Sequence, residues 1–311
     1  MRRKHVTLIL TALAMMVLIL DSRRAFACAA EGVDICIRTV IPSLFPFFVL
    51  SSFLTNALPG SSSVGSVLIS GLLGGYPVGA QSAADAYRSG KLTKETADAL
   101  LGFCSQPGPS FLFGMVAAQF PEAKYVWFLW AVILLSAASV SMVTPAWETS
   151  VSATLDKPPL SIATAIKKAM QAMASVCSWV VLFRVILGFA QAWGLWIFPA
   201  WAQALISGMM ELTNGTLTLG QISSVPARFL IASLILNFGG ICVMMQTFSV
   251  AGGLEMKHYI GGKLLQGLFS LLYSLCFLGQ LGALIPVFFI FVLCRRGNPR
   301  KSSRFPASVG V

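Results

Sequence analysis

Apolar blocks recur along the whole chain, and the short interruptions between them carry as much information as the blocks. The first block, Val6 to Leu20, follows Arg2, Arg3 and Lys4 and precedes Arg23, Arg24 and Ala25-Phe26-Ala27. Two readings are open. A basic start, a short apolar run and an Ala-x-Ala motif describe a cleavable signal peptide. The charges at Asp21 to Arg24, with a run almost long enough to span, favour an uncleaved first helix. Ile35 to Leu58 follows as a span kinked by Pro42 and Pro46, which membranes tolerate where neighbouring helices satisfy the freed carbonyls.

The pattern then changes. Val64 to Gly74 is too short to cross, Gly74-Gly75-Tyr76-Pro77-Val78-Gly79 breaks it, and a small-residue helix runs from Ala80 to Arg88. Thr93 is placed to cap a helix running to Cys104, and Ser105-Gln106-Pro107-Gly108-Pro109-Ser110 interrupts again before Phe111 to Phe120. The stretch from Val64 to Phe120 therefore predicts two broken or re-entrant helices. Tyr125 to Val143 is an ordinary span with Trp127 and Trp147 near its ends, and Glu148 to Lys168 is the longest polar stretch. Ala169 to Ala192 spans once more. Leu195 to Met210 runs into Glu211-Leu212-Thr213-Asn214-Gly215, and a helix opened by Pro226 runs to Leu236, where Asn237-Phe238-Gly239-Gly240 breaks it before Ile241 to Val250. Ile260 to Leu278 and Ala283 to Cys294 complete the apolar course, and Arg295, Arg296, Arg300, Lys301 and Arg304 form a basic tail. The positive-inside rule places both termini in the cytoplasm.

Composition confirms the solvent. Of 311 residues 56% are hydrophobic and 11% charged, with mean hydropathy +0.80, whereas soluble domains are about 25% charged. The net charge of +11 lies at the ends of apolar runs and in the tails rather than on one aromatic-studded face, so it serves topology and not nucleic acid. The seven cysteines have no Cys-x-x-Cys spacing and read as small buried hydrophobes, with neither a metal nor a disulfide framework indicated.

The two halves of the chain resemble one another. Ile69-Ser70-Gly71 recurs as Ile206-Ser207-Gly208, Leu101-Gly102-Phe103 as Leu236-Asn237-Phe238, and Ser110-Phe111 as Thr247-Phe248, at an offset near 136 residues. Each half reads as span, broken helix, second broken helix, span. The sequence does not say whether the copies are parallel or inverted.

Breaks expose backbone groups that hydrocarbon cannot satisfy, so they belong beside protein or a water-filled cavity, where they and the half-helix dipoles can hold an ion or a polar solute. The competing reading is that Gly and Pro only allow close helix packing. Candidate binding residues follow from this: Tyr76, Gly79, Gln106 and Gly108 in the first half, and Glu211, Thr213, Asn214, Gly239, Gly240 and Gln246 in the second. Glu211 leads them, since a carboxylate, a hydroxyl and an amide within one turn suit a cation or a ligand's hydroxyls. Arg184, mid-way along Ala169 to Ala192, should face the interior and pair with Glu211 or take an anionic group. Arg228 and Lys263 lie nearer helix ends and can snorkel. Asp85 and Asp98 read as solvated, and His5 and His258 as surface residues. No metalloprotease, hydrolase or Walker motif is present, so an enzyme is not expected, and no cofactor is called for.

These residues together resemble the nucleoside recognition (Gate) domain family, and most closely its sporulation integral membrane protein (YlbJ-like) branch. The pieces that carry the resemblance are Ile41-Pro42-Ser43-Leu44-Phe45-Pro46-Phe47-Phe48-Val49-Leu50, Gly75-Tyr76-Pro77-Val78-Gly79-Ala80, Leu100 to Cys104 into Gly108 to Phe111, Glu211 to Gly215, and Phe238-Gly239-Gly240 with Gln246, in order from about residue 35 to 280. The resemblance implies a multi-pass protein related in its Gate segments to concentrative nucleoside transporters, with a role in spore-formers in making heat-resistant spores. Ser105-Gln106-Pro107 departs from the Asn-rich sequence usual there, which puts the ligand in doubt.

The expectation is an all-α integral membrane protein of the inner cell membrane, a polytopic bundle with two Gate-like repeats containing broken or re-entrant helices. Its parts are an N-terminal helix and loop at 1–34, a first repeat at 35–147, a connecting loop at 148–168, a second repeat at 169–280, and a last apolar helix with a basic tail at 281–311. Its partners are the bilayer, a small polar solute of nucleoside-like character, a coupling ion and, as an open case, a second copy. The alternative is a non-transporting scaffold for spore or envelope assembly.

Overall fold

The structure is a computed structural model and describes residues 2–57, 64–144 and 160–279. Trp147, most of the 148–168 loop, the Ala283 to Cys294 helix and the basic tail lie outside the described residues, as do most of the residues between the second and third apolar blocks. All regular structure among the described residues is helical.

Helix α1 is Arg2–Leu20, followed by α2, Ser22–Ile35, where the sequence predicted a loop. Asp21 is the reason. Its side chain caps the backbone N–H of Arg24, so the charged residues that looked like a boundary open a helix instead. A π-helical turn, Cys36–Val40, joins α2 to α3, Ile41–Ala57, so that Ser22–Leu50 is one apolar rod with Pro46 inside it.

The next two pieces, α4 (Val64–Gly74) and α5 (Val78–Arg88), fold back on each other as a hairpin. Small residues permit it. A Cβ on Gly71 would stand 3.0 Å from the Cα of Gly79, so the two backbones touch just behind the tip, whose Tyr76–Pro77 bond is cis. Helix α6 (Lys94–Leu101) starts at the expected Thr93 cap, gives way to an irregular segment at 102–108, and resumes as α7 (Pro109–Phe111) and a π-helical turn at Leu112–Val116. Helix α8, Ala123–Val143, and α9, Ile162–Trp193, are uninterrupted.

A second hairpin then pairs α10 (Ala200–Met210) with α11 (Leu212–Thr218), with Glu211 at the tip. Here a Cβ on Gly215 would meet the Cα of Gly208 at 2.1 Å. Helices α12 (Val225–Phe238) and α13 (Gly240–Val250) are separated by Gly239 at φ +86°, and α14 is Met256–Phe277. Among the described residues, five helical stretches are long and apolar enough to cross a membrane: Ser22–Leu50, Ala123–Val143, Ile162–Trp193, Val225–Val250 and Met256–Phe277.

Helix α14 carries a polar stripe inward and an apolar face outward. On α14 the buried stripe is Lys263, Gln266, Ser270 and Ser274, at helical spacing, while Leu264, Leu268 and Leu272 on another face are exposed. That arrangement suits a helix surrounded by lipid on one side and polar helices on the other. The apolar core lies where α8, α12 and α14 meet, around Leu129, Ile133, Phe229, Leu236 and Tyr273.

Two acidic expectations part company. Asp85 is solvated and pairs with Arg88, as expected. Asp98 instead is buried, because its carboxylate accepts the backbone N–H of Glu255 at 2.7 Å and thereby ties α6 to the start of α14.

Candidate functional site

Each hairpin tip is seated on a helix interruption of its own half. In the first half the Cys104 carbonyl lies so close over the hairpin that a Cβ on Gly71 or Gly79 would fall 1.6 or 2.3 Å from its oxygen. Gly75 stands equally close to Gly108, at 2.9 Å from its N for an added Cβ. Ser105 Oγ then accepts the backbone N–H of Ala80 at 2.9 Å, which satisfies one of the unpaired donors at the start of α5. In the second half a Cβ on Gly240 would lie 2.7 Å from the carbonyl oxygen of Gly208, so the α12–α13 interruption rests on the last turn of α10. The glycines thus serve first the close approach of backbones.

Tyr76 joins the halves. Its hydroxyl donates to the carbonyl of Leu236 at 3.0 Å, and its ring lies against Gly239. The same hydroxyl accepts from Lys263 Nζ at 3.1 Å, and Nζ also donates to the Ser105 carbonyl at 2.6 Å and to Gln266 Oε1 at 2.9 Å. Gln266 exchanges hydrogen bonds with Gln106 and donates to Asn237 Oδ1, whose own amide donates to the Ser233 carbonyl. Every side chain in this network is buried.

Lys263 was expected to snorkel, and that expectation is corrected. It sits two turns into α14 on the face toward the Cys104–Gly108 segment, with 1% of its surface exposed. An isolated buried charge costs several kcal/mol unless its donors are matched, and here three oxygens match the three N–H groups of an ammonium. The sequence carried a faint signal for it, since Lys263 and Gln266 share a face that Leu264 and Leu268 do not.

Glu211 forms a second polar centre at the other hairpin tip. It is buried, and its carboxylate accepts from the backbone N–H groups of Thr213 and Asn214 at 3.0 and 2.7 Å and from Asn214 Nδ2 at 2.8 Å. It is thus the cap of α11, and among the described residues it forms no ion pair. Beside it Asn214 Oδ1 is buried without a hydrogen-bond partner, as is Thr216 Oγ1 further along α11. An acid with an unpartnered oxygen at its side is an environment that a cation, or a solute's hydroxyl or amino groups, would complete. The two centres adjoin through Gly239 and Gly240, of which one touches Tyr76 and the other the backbone that leads into Glu211.

Two candidates fall outside this arrangement. Arg184 does not face the interior and does not meet Glu211. It reaches Glu31 on α2, with Nε to Oε2 at 3.0 Å, and 34% of its side chain is exposed, because α2 is a helix packed along α9 rather than a loop. Gln246 is buried but its amide turns to Cys242 Sγ on its own helix, at 3.3 Å, and takes no part in the Gln106 network. Arg228 is held by backbone carbonyls of Ile222 and Gln119 at the start of α12.

A cavity of about 610 Å³ opens between α3, the first hairpin and α9. Hydroxyls and amides of Ser52, Ser66, Ser70, Gln81, Gln171 and Ser175 line it, with Asp85, Lys91 and Lys168 among the charged groups. None of the candidate residues lines it, but Pro77 at the hairpin tip does, so it ends one residue from Tyr76. Elsewhere Asp98, Glu255 and His258 bring three ligand-type atoms within 4.8 Å of one another. Lys94 and Lys257 already pair with Glu255 and hold its carboxyl below the ordinary carboxylate range.

The chain is 24% identical over 315 residues to the sporulation integral membrane protein YlbJ of Bacillus subtilis (strain 168), covering 80% of this chain and 76% of that protein. With five membrane-length helices on the page, that similarity decides the class. The chain is an integral membrane protein. No protein-family model matches it, and no solved structure does. The resemblance read from the sequence thus finds support in its sporulation membrane-protein part.

Proposed function

We propose that the chain is a transporter-like membrane module in which two inverted repeats, 35–147 and 169–280, hold a small polar solute between two re-entrant hairpin tips and two interrupted helices. The observation that carries this reading is the Glu211 centre, a buried acid beside an unpartnered Asn214 oxygen at a hairpin tip. The cavity that reaches Pro77 provides an approach to the other tip.

Reciprocal packing supports the duplication. Helix α6 packs on α14 as α12 packs on α8, α3 meets α7 as α9 meets α13, and α5 meets α13 as α11 meets the Leu112–Val116 turn. Counting passes supports inversion. A hairpin enters and leaves on one side, so each half crosses with its long first helix, its interrupted helix and its last helix, and an odd number of crossings starts the second copy on the opposite face. That alternation sets Arg88, Lys91, Lys94, Lys167, Lys168 and Lys257 on one face, which the positive-inside rule makes cytoplasmic. Reporter fusions at 90 and 160 should both give cytoplasmic signals.

The solute is nucleoside-like in size and polarity, the setting is the cell membrane, and the relative's name extends the role to sporulation. Proteoliposomes carrying purified protein should take up or bind nucleosides or nucleobases, and Glu211→Ala with Asn214→Ala should lose at least about 1.4 kcal/mol of affinity, a tenfold effect. Unchanged binding and flux in folded variants would remove this site. A folded protein that binds none of these and co-purifies with envelope proteins would instead support the scaffold reading.

A further inference from the structure

We propose that the Lys263 ammonium is a tethered monovalent cation: from α14 it fills the place where Ser105 O, Gln266 Oε1 and Tyr76 OH would otherwise hold a free sodium or potassium ion. Three observations carry this. The ligating set is the kind a small cation uses, a main-chain carbonyl, an amide oxygen and a hydroxyl oxygen, supplied by three separate parts of the chain and converging at 2.6–3.1 Å. The carbonyl belongs to the Cys104–Gly108 interruption, where a crossing helix leaves backbone oxygens that neither lipid nor its own helix satisfies. And Lys263 forms no ion pair among the described residues, so its charge is met by dipoles alone, as a bound alkali ion's would be.

The donor count matches an ammonium. An ammonium has three N–H groups, and three oxygens receive them. The Tyr76 hydroxyl hydrogen is directed to the Leu236 carbonyl, which leaves that oxygen's lone pair for Nζ, and the Tyr76 ring lies 4.9 Å from Nζ.

Two consequences follow. The wild-type protein needs no free cation at this place, since the site and its occupant are one molecule. Removing the side chain creates a vacancy lined by neutral oxygen dipoles, with the carbonyl, amide and hydroxyl oxygens still facing it. The inference concerns cation substitution only; it extends the proposed function by making any solute movement independent of a sodium ion at Ser105, and it stands or falls separately from solute binding at Glu211.

The test is thermal unfolding of detergent-purified wild type, Lys263→Ala and Lys263→Gln in choline chloride, with sodium, potassium, ammonium or methylammonium chloride added at constant ionic strength. Wild type should be indifferent to the cation. Lys263→Ala should unfold at lower temperature in choline and recover by roughly 5 °C, saturably, with at least one small cation, as binding to the folded state alone requires. Lys263→Gln, which restores hydrogen bonds without charge, should remain less stable than wild type. A folded Lys263→Ala with no cation-specific shift overturns the inference, as does a Lys263→Gln protein as stable as wild type in choline. Failure of both variants to fold in potassium-rich cells overturns it as well, because the free cation was then on offer and did not substitute.

Discussion

Neighbouring glycines on α14 should differ sharply when each is changed to alanine. At Gly261 an added Cβ meets nothing within 4 Å, while at Gly262 it would stand 2.3 Å from both the Cα and the O of Gly102. In a helix interior Gly→Ala by itself stabilises by roughly 0.5–1 kcal/mol. Gly261→Ala should therefore be neutral or slightly stabilising. At 262 the contact is with backbone, so no side-chain rotation relieves it. Moving from 2.3 Å to the 3.4 Å of ordinary contact requires α6 and α14 to separate by about 1.1 Å. Overpacking of this kind costs roughly 1–3 kcal/mol, and the same separation lengthens the Lys263 bond to the Ser105 carbonyl, now 2.6 Å, beyond hydrogen-bond range. Together the loss should exceed about 2 kcal/mol, or roughly 3 °C in Tm for a chain of 311 residues. The measurement is unfolding in detergent, followed by tryptophan fluorescence or by exposure of the buried cysteines. A Gly262→Ala protein within about 1 °C of wild type, or a Gly261→Ala protein lowered as much as its neighbour, would refute the reasoning.

Other expectations concern single side chains. Tyr76→Phe keeps the ring against Gly239 but leaves the Leu236 carbonyl and one Lys263 N–H unmatched, and should cost roughly 1–3 kcal/mol in thermal unfolding; an unchanged Tm would show that the hydroxyl does not link the halves. Arg184→Ala should change stability by no more than about 1 kcal/mol, since the Glu31 pair is partly exposed, and a larger loss would return Arg184 to the interior. Lys257 and Lys94 lower the Glu255 carboxyl from its ordinary 4.5, so their contribution is present above that value and is lost as pH falls through the lower folded value. Glu255→Gln should therefore flatten the acid limb of the Tm profile below about pH 4.5, and an unaltered limb would show that the pairs contribute nothing.

What could be read from the chain, and what could not, divides along the range of the interactions. Gly74 to Gly79 and Gly239-Gly240 announce interruptions because breaking a helix is a local event, governed by φ and by missing N–H groups. That the first break closes into a hairpin depends on Gly71 meeting Gly79 and on the Cys104 carbonyl lying across both, contacts that no local pattern encodes. Lys263 and Arg184 depart from expectation for one reason, since a position along a helix says how deep a charge lies and not which way it points. Lys263 turns inward to the Ser105 carbonyl, whereas Arg184 turns to Glu31 once Ser22–Ile35 is a helix. The Asp21 cap that makes that helix is a local signal, but the charges clustered around it resemble those of a loop.

The Tyr76 hydroxyl has a bearing on how the chain is made. Its acceptor at Leu236 lies 160 residues downstream, and its lysine donor 187. At ordinary synthesis rates of 5–20 residues per second, the first half waits roughly 10–30 s in the membrane with the Tyr76 hydroxyl, the Ser105 carbonyl and Gln106 Oε1 lacking their second-half partners. Something must keep those groups company in the interval, whether water, lipid headgroups or the insertion machinery. A ribosome stalled before residue 236 should then hold a first half whose Cys104, buried beside the hairpin in the finished fold, is still open to aqueous thiol reagents, and release of the remaining chain should close it.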